Sequence, residues 1–310
     1  LQLAQIYSGQ ITNWRDLGGA DAPVTLHAPA TDSGLGQASV DRILDPVGLT
    51  ISPKAIRHQR GDVLAQSVSR DPFALGVSSF AEVGDAQALK LTGTCGRSLR
   101  ATRRTIKTED YPLTAPMFLY TPARRLPQVA RSFLAFTQSA EAQFVIRRSG
   151  FVDQAPEEIP IDEQGNRFVN AIDAAGSGVG LPELQRMVTR LGHMKRLTTS
   201  FRFNAGSVAL DAQSRANVVQ LAQRLEQGRY DARELLFVGF SDGDGPAESN
   251  RAIALRRAEA VRKSVLQASE AADFSKTTIG VEAFGEAMPM ACDDSSWGRL
   301  TNRRVEVWVR

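Results

Sequence analysis

The feature that most constrains the fold is a change of composition in the middle of the chain. Residues 154–180 are rich in proline, acidic residues and glycine, and they end in Gly176-Ser177-Gly178-Val179-Gly180. Such a segment between two regularly patterned regions is typical of a linker. The 310 residues also exceed the usual size of one domain, about 150 residues. We therefore predict domains at 1–153 and 198–310, joined by a linker and a lead-in helix over 154–197.

Composition excludes several classes of protein. Apolar residues make up 42% and charged residues 23% of the chain, which excludes wholesale disorder. No apolar run approaches the roughly 18–20 residues of a transmembrane helix, so no transmembrane segment is expected. The net charge of +3 comes from 37 basic and 34 acidic residues, a mixed surface that does not indicate nucleic-acid binding.

Few residues are suited to metal binding or disulfide formation. The three histidines are far apart in the sequence and lack metal-binding spacing, so no metal or other cofactor is expected. The two cysteines, Cys95 and Cys292, are too few for a disulfide framework or a zinc site of their own. The sequence does not decide whether they form one long-range disulfide or remain two buried thiols.

Short strands and helices alternate in the first domain, which predicts an α/β fold. The strands are short apolar runs next to turn residues, and the longer helix carries an apolar stripe at helical spacing. The predicted strands are 24–27, 73–77 and 118–120, and the predicted helices are 37–44 and 127–147.

The second domain has a clearer pattern of strand, helix, strand, helix, strand and strand. Its strands alternate apolar and polar residues or are wholly apolar, and its helices carry one apolar face. This order predicts a small α/β sandwich with helices on one side of the sheet. The predicted strands are 199–203, 235–240, 277–284 and 304–309, and the helices are 211–226 and one beginning near Ser249 or Asn250.

Three motifs follow one another in this domain. They are Gly239-Phe240-Ser241-Asp242, the helix Asn250-x-x-Ile253-Ala254-x-x-Arg257-Ala258-x-x-Val261, and Asn302-Arg303-Arg304-Val305-Glu306. In this order they resemble the OmpA C-terminal-like family, over about 110 residues. The resemblance implies a βαβαββ sandwich with helices packed on a mixed sheet, and non-covalent binding of peptidoglycan.

The family's ligand pair falls on Asp242 and Arg257, which the resemblance assigns to the diaminopimelate of the stem peptide. The free end of diaminopimelate carries an ammonium and a carboxylate on one carbon. A carboxylate can accept from the ammonium, and an arginine can grip the carboxylate through two parallel N–H bonds. Ser241, Asn250 and Arg304 complete the expected site, with Asn250 capping free amides at the helix start. From spacing alone, a surface ion pair between Asp242 and Arg257 is the alternative.

The first domain carries a second resemblance. The stretch Ile6-Tyr7-Ser8-Gly9-Gln10-Ile11-Thr12-Asn13-Trp14-Arg15-Asp16-Leu17-Gly18-Gly19 is similar to phosphate-type periplasmic solute-binding (PstS-like) proteins of the type II binding-protein fold. Ser33 and Gly34 stand in the family's anion-binding loop and are the candidate anion ligands. Pro29 and Leu35 replace the loop's arginine and threonine, so phosphate or another small anion is expected to bind weakly or not at all.

These observations predict a non-catalytic cell-envelope protein. The resemblances imply a location in the periplasm of a Gram-negative bacterium, associated with the cell wall or outer membrane, with peptidoglycan as the partner. The alternative is a phosphate-binding or other oxyanion-binding protein anchored to the wall. No Gly-x-Ser-x-Gly motif surrounds Ser33, so an enzyme is not expected. The sequence begins at Leu1 with neither an initiator methionine nor a signal-peptide pattern, so we expect either a removed signal peptide or a fragment. The receptor-like pattern favours a fragment that lacks the opening half of the first receptor lobe.

Overall fold

The computed structural model of the chain has a mixed α/β architecture that divides into two compact units. Unit 1 comprises Leu1–Lys90 and Val145–Phe151, and unit 2 comprises Leu91–Phe144 and Val152–Arg310. The domain boundaries inferred from the sequence remain a prediction. No helix among the described residues is long and apolar enough to cross a membrane. The structure describes residues 1–93, 98–176, 178–204 and 207–310.

Unit 1 is built on a three-stranded parallel sheet in the order β2-β1-β3. Strands at the first two predicted positions are confirmed. The predicted helix at 37–44 begins earlier, at Gly34, and continues after Ser39 as a π-helical turn, Val40–Leu44. The elements are α1 (Gln2–Ser8), β1 (Thr25–Pro29), α2 (Gly34–Ser39), β2 (Ile56–His58), α3 (Gly61–Arg70) and β3 (Ala74–Gly76).

Two histidines join strands β1 and β2. His27 Nδ1 lies 2.8 Å from His58 Nε2, and the hydroxyl of the fully buried Tyr7 donates to the carbonyl oxygen of His27 at 3.3 Å. Burial, followed by the charge of His58, lowers the pKa of His27. The hydrogen bond between the two ring nitrogens links the neighbouring strands.

The structure of residues 91–148 differs from two predictions made from the sequence. The predicted strand at 118–120 is wrong: these residues form no strand, and Tyr120 is 94% exposed. Apolar character alone does not make a strand without a neighbouring edge to pair with. The helix predicted at 127–147 is two helices, because Ser139 Oγ accepts from the amide of Ala142 and starts a new one. The elements are β4 (Leu91–Thr92), β5 (Ser98–Leu99), α4 (Arg103–Lys107), α5 (Gln128–Thr137) and α6 (Ala140–Arg148).

The core of unit 2 is a five-stranded sheet in the order β6-β7-β10-β8-β9. Strands β8 and β9 are parallel and the other neighbours are antiparallel, which confirms the mixed sheet. Every residue of the central strand β10 is buried, so both faces of the sheet are covered. The strands are β6 (Glu158–Ile159), β7 (Lys195–Arg202), β8 (Glu234–Phe240), β9 (Thr278–Gly285) and β10 (Arg304–Val309).

Helices cover both faces of this sheet, which corrects the expectation of helices on one side. Helices α9 and α10 pack their leucines and valines against Val305 and Val307. Helices α7 and α8 pack against the opposite face, where Trp308 and Phe240 lie. Successive side chains of β10 point to opposite faces of the sheet, so the apolar side chains on the second face also need helices packed over them. The helices are α7 (Gly165–Asp173), α8 (Leu181–Leu191), α9 (Ala212–Glu226), α10 (Ala247–Ala268) and α11 (Ser296–Asn302).

Charged residues lie in the interior on the face covered by α7 and α8. Glu306 is 0% exposed and accepts from Arg304 Nε at 2.7 Å and from Arg167 Nη2 at 2.5 Å. Arg196 adds a bond from Nη1 to Asp110 Oδ2 at 2.6 Å. Burial alone would raise the pKa of Glu306, but the positive charges of Arg167, Arg196 and Arg304 outweigh burial and hold this pKa well below its ordinary value. The network is thus an ionised, hydrogen-bonded part of the core.

Candidate functional site

The candidate site begins where strand β8 ends beside helix α10. A Cβ at Gly239 would lie 2.1 Å from the carbonyl oxygen of Ala254, so only glycine permits this close approach of strand and helix. One residue beyond the strand, the amide of Ser241 donates to the carbonyl oxygen of Gly285 at 2.9 Å and fixes the chain to β9. Asp242 therefore starts its loop directly beside α10.

Asp242 forms an ion pair with Arg303 and not with Arg257. Arg303 Nε donates to Asp242 Oδ2 at 2.7 Å, and Arg303 Nη2 is 2.5 Å from the same oxygen. Asp242 is 6% exposed, and its Oδ1 accepts no hydrogen bond within the described part of the chain. One carboxylate oxygen is therefore occupied and the other remains an open acceptor.

Arg257 lies in the same cluster but has no ion pair or hydrogen bond within the residues described. It is 8% exposed, its Nε is buried without a partner, and its guanidinium lies 5.2 Å from the ring centre of Phe203. Burial is the main cause that lowers its pKa, and the charge of Arg303 adds to this effect while that of Asp242 opposes it. The surface ion pair between Asp242 and Arg257 that spacing alone suggested is not found, and Arg257 is a guanidinium without a counter-ion.

Asn250 and Ser241 are buried at the edge of this cluster. Asn250 was expected to cap α10, but it does not, because the helix begins earlier, at Ala247 after Pro246. Its Nδ2 instead donates to Glu286 Oε2 at 2.8 Å and to the Gly245 carbonyl oxygen at 3.4 Å, which holds the loop to β9's end. The Ser241 hydroxyl is buried and has no hydrogen-bond partner in the part of the chain that the structure describes.

The assignment of Arg304 to the site requires correction. Its side chain is 0% exposed and donates to Glu306, to the Met288 carbonyl oxygen at 2.9 Å and to the Asn302 carbonyl oxygen at 3.3 Å. Arg303 lies in the turn between α11 and β10, whereas Arg304 is the first residue of β10 and faces the side covered by α7 and α8. Arg303 therefore reaches Asp242, and Arg304 belongs to the buried network.

Two further residues, Asn302 and Asp293, shape the rim of the site and were not among the residues predicted from the sequence. Asn302 is fully buried; its Nδ2 donates to Asp293 Oδ1 at 2.7 Å and its Oδ1 accepts from the Met290 amide at 2.6 Å. Asp293 in turn accepts from the Gly243 amide at 2.7 Å through Oδ2. The motif that contains Asn302 was the available signal, but its contacts depend on the loop 286–295, which has no periodicity.

The described residues include no group of three histidine, cysteine or acidic side chains that could hold a metal ion. Cys292 is disulfide-bonded. Cys95, the other cysteine of the sequence, lies outside the described residues. The chemistry of the site is therefore that of its carboxylate, its guanidiniums and their hydrogen bonds.

Family comparisons match both parts of the chain. A model described as the PBP superfamily domain matches residues 2–141, and the OmpA family model matches residues 202–303. The chain joins a PBP superfamily domain to an OmpA family domain. Asp242, Arg257 and Arg303 all lie within the OmpA domain.

Individual relatives each resemble one part of the chain. The phosphate-binding protein PstS of Bacillus subtilis (strain 168) is 23% identical over 167 residues, 54% of this chain and 53% of that protein. Outer membrane porin F of Pseudomonas fluorescens is 32% identical over 114 residues, 37% of this chain and 33% of that protein. The chain thus spans about half or less of the length of these curated relatives.

A solved structure, the peptidoglycan-associated lipoprotein from Burkholderia pseudomallei, is 26% identical with a TM-score of 0.32. The match covers 36% of this chain and 89% of that one.

The predicted anion loop of the PBP superfamily domain uses its serine to hold its own backbone. Ser33 Oγ accepts from the Gly36 amide at 2.9 Å and donates to the Ala30 carbonyl oxygen at 2.7 Å, which starts helix α2. Gly34 is the first residue of that helix and is exposed. The hydroxyl hydrogen that would bind an anion is therefore committed to Ala30.

Proposed function

We propose that the OmpA domain binds peptidoglycan, and that Asp242 and Arg257 hold the zwitterionic end of diaminopimelate. In this arrangement the open Oδ1 of Asp242 accepts from the ligand ammonium. The guanidinium of Arg257 donates to the ligand carboxylate. Arg303 keeps the Asp242 carboxylate in position through its other oxygen, and Ser241 and Asn250 shape the loop around it.

The observation that carries this proposal is the unpaired, buried guanidinium of Arg257. A buried arginine without a carboxylate costs folding free energy, because its solvation is lost and not replaced. A ligand carboxylate would supply the missing partner. The match of residues 202–303 to the OmpA family and the 32% identity to outer membrane porin F support the same function.

Sedimentation with purified sacculi tests the proposal. We expect the wild-type chain to co-sediment with diaminopimelate-containing sacculi, and the double variant Asp242→Asn and Arg257→Gln to remain in the supernatant. Asp242→Asn keeps the size of the side chain, Arg257→Gln shortens it, and each removes the charge while leaving a polar amide. A matched control is Arg256→Gln, because Arg256 is the neighbouring arginine of α10 and is exposed.

Equal sedimentation of the double variant and the wild type would contradict the proposal. Circular dichroism of the variant distinguishes this result from unfolding. If the double variant is folded and still binds the sacculi, the wall contact belongs to another surface.

A second candidate function is binding of phosphate or another oxyanion by the PBP superfamily domain. The similarity to PstS proteins over about half of the chain favours it. Pro29, Leu35 and the internal hydrogen bonds of Ser33 argue against tight binding. Calorimetry with inorganic phosphate tests it: we expect little or no heat that depends on Ser33. A micromolar affinity abolished by Ser33→Ala would favour this candidate.

We further infer a non-catalytic role in the envelope of a Gram-negative bacterium, in the periplasm next to the cell wall. Both matching families are of binding or structural type, and the proposed ligand is a component of the wall. Fractionation of cells that express the native gene tests the location: the protein is expected with the envelope and not with the cytoplasm.

A further inference from the structure

A pocket of about 430 Å³ lies in unit 2 beside the beginning of strand β6 and the end of helix α9. Its volume is in the range of pockets that hold small molecules, about 300–1,000 Å³. It shares no residue with the cluster around Asp242. Its lining consists of Pro156, Glu157, Glu158, Leu197, Arg224, Arg229 and Tyr230.

The acidic residues of the pocket have basic partners outside its lining. Glu158 accepts from Arg233 Nη1 at 2.6 Å and lies 3.2 Å from Lys195 Nζ. Glu157 shares the nearly buried ammonium of Lys107 with Asp153. Neither carboxylate therefore forms an ion pair with an arginine that lines the pocket.

The basic residues of the pocket, in contrast, have no acidic partners among the described residues. Neither Arg224 nor Arg229 has an ion pair or side-chain hydrogen bond within the described ranges. Tyr230 is 3% exposed, and its hydroxyl has no partner there either. Burial raises the pKa of Tyr230 to about 12, so the hydroxyl keeps its proton at neutral pH and can donate.

We propose that this pocket binds the phosphate group of a small phosphate monoester. Two guanidiniums without counter-ions match the charge of a phosphate dianion, and arginine donates to its oxygens in pairs. The tyrosine hydroxyl supplies a donor for a further oxygen. Leu197 and Pro156 offer apolar surface to the organic part of the ligand, and the volume exceeds what a phosphate ion alone would fill.

Calorimetric titration of the full chain with glycerol 3-phosphate tests this site. We expect binding that falls at least about tenfold in the double variant Arg224→Gln and Arg229→Gln, and by a smaller factor in Tyr230→Phe. Arg256→Gln, at an exposed position of α10, is the matched control and should bind like the wild type.

Two further ligands distinguish the source of the binding energy. Inorganic phosphate should bind more weakly than the monoester, and succinate, a dicarboxylate, should bind more weakly still. Absence of binding in the wild type, or equal binding by the folded double variant, would overturn the site. Equal affinities for phosphate and glycerol 3-phosphate would overturn the assignment to a monoester. Because Asp242 and Arg257 are unchanged in these variants, the outcome is independent of peptidoglycan binding.

Discussion

At the scale of single residues, the site depends on which arginine has a partner. The sequence motifs identified Asp242 and Arg257, but not that Arg303 holds Asp242 while Arg257 has no counter-ion among the described residues. Arg303 reaches Asp242 from the turn before β10, whereas Arg304 begins the strand and joins the buried network. The motif places two adjacent arginines before and at the start of β10, but only the packing of the folded chain decides which of them contacts Asp242.

Glu306 is the residue on which the buried charge network depends. We predict that Glu306→Gln lowers the free energy of unfolding by about 3–5 kcal/mol, because three arginines lose their shared carboxylate. Urea denaturation of the wild type and the variant measures this change. Glu248→Gln, at an exposed position in the first turn of α10, is the control and should change stability by less than about 0.5 kcal/mol.

The same network predicts how stability depends on pH. The pKa of Glu306 lies below its ordinary value of 4.5, because the arginines outweigh the opposing effect of burial. A folded-state pKa below the unfolded one means that the unfolded chain binds more protons in acid. This stabilisation is therefore present above about pH 4.5 and is lost as the pH falls further. Unfolding curves between about pH 6 and pH 3 should show this loss in the wild type and a flatter dependence in Glu306→Gln.

At the scale of elements, periodicity predicted the regular parts well. Helix α9 follows its predicted range closely, with Asp211 Oδ1 accepting from the Ser214 amide at 2.7 Å as its cap. Strands β8, β9 and β10 also lie where alternation or apolar runs predicted them. The strand expected at 118–120 failed because a short apolar run carries no information about its partner. The prediction of one continuous helix over α5 and α6 failed because one capping serine outweighs a continuous apolar stripe.

Close packing of β8 on α10 makes a prediction at the same scale. Gly239→Ala should destabilise the protein by about 1–3 kcal/mol, because the added methyl collides with the Ala254 carbonyl oxygen. Gly165→Ala is the control: it has open space around its Cβ and a helical backbone, so a gain of about 0.4–1 kcal/mol is expected. Thermal denaturation measures both, and equal effects of the two substitutions would contradict the packing argument.

At the scale of the whole molecule, the sequence suggested a linker where the structure has packed elements. Residues 154–191 contain β6, α7 and α8, and the two helices cover the sheet face that carries Trp308. Proline, acidic residues and glycine are common in linkers, but a few apolar positions between them are enough to form amphipathic helices. Composition averages over these positions and therefore missed the second layer of helices.

The second layer predicts where the OmpA domain can be cut. A fragment of residues 152–310 should be more stable than a fragment of residues 198–310, because Trp308 and Phe240 lose their cover in the shorter one. Thermal unfolding and one-dimensional NMR of both fragments measure this difference. Identical melting of the two fragments would show that α7 and α8 add no stability and would favour the boundary at 198.

The central claim is that the carboxylate of Asp242 and the guanidinium of Arg257 together bind the ammonium and the carboxylate on one carbon of diaminopimelate. Calorimetric titration with meso-diaminopimelate and with Nα-acetyl-L-lysine amide tests it most directly, since the blocked lysine ends in an ammonium alone and has no free carboxylate. We predict that the wild type binds diaminopimelate at least about tenfold more tightly than the blocked lysine, and that Arg257→Gln abolishes this preference. Equal affinity of the wild type for the two ligands, or an unchanged preference in folded Arg257→Gln, would contradict it.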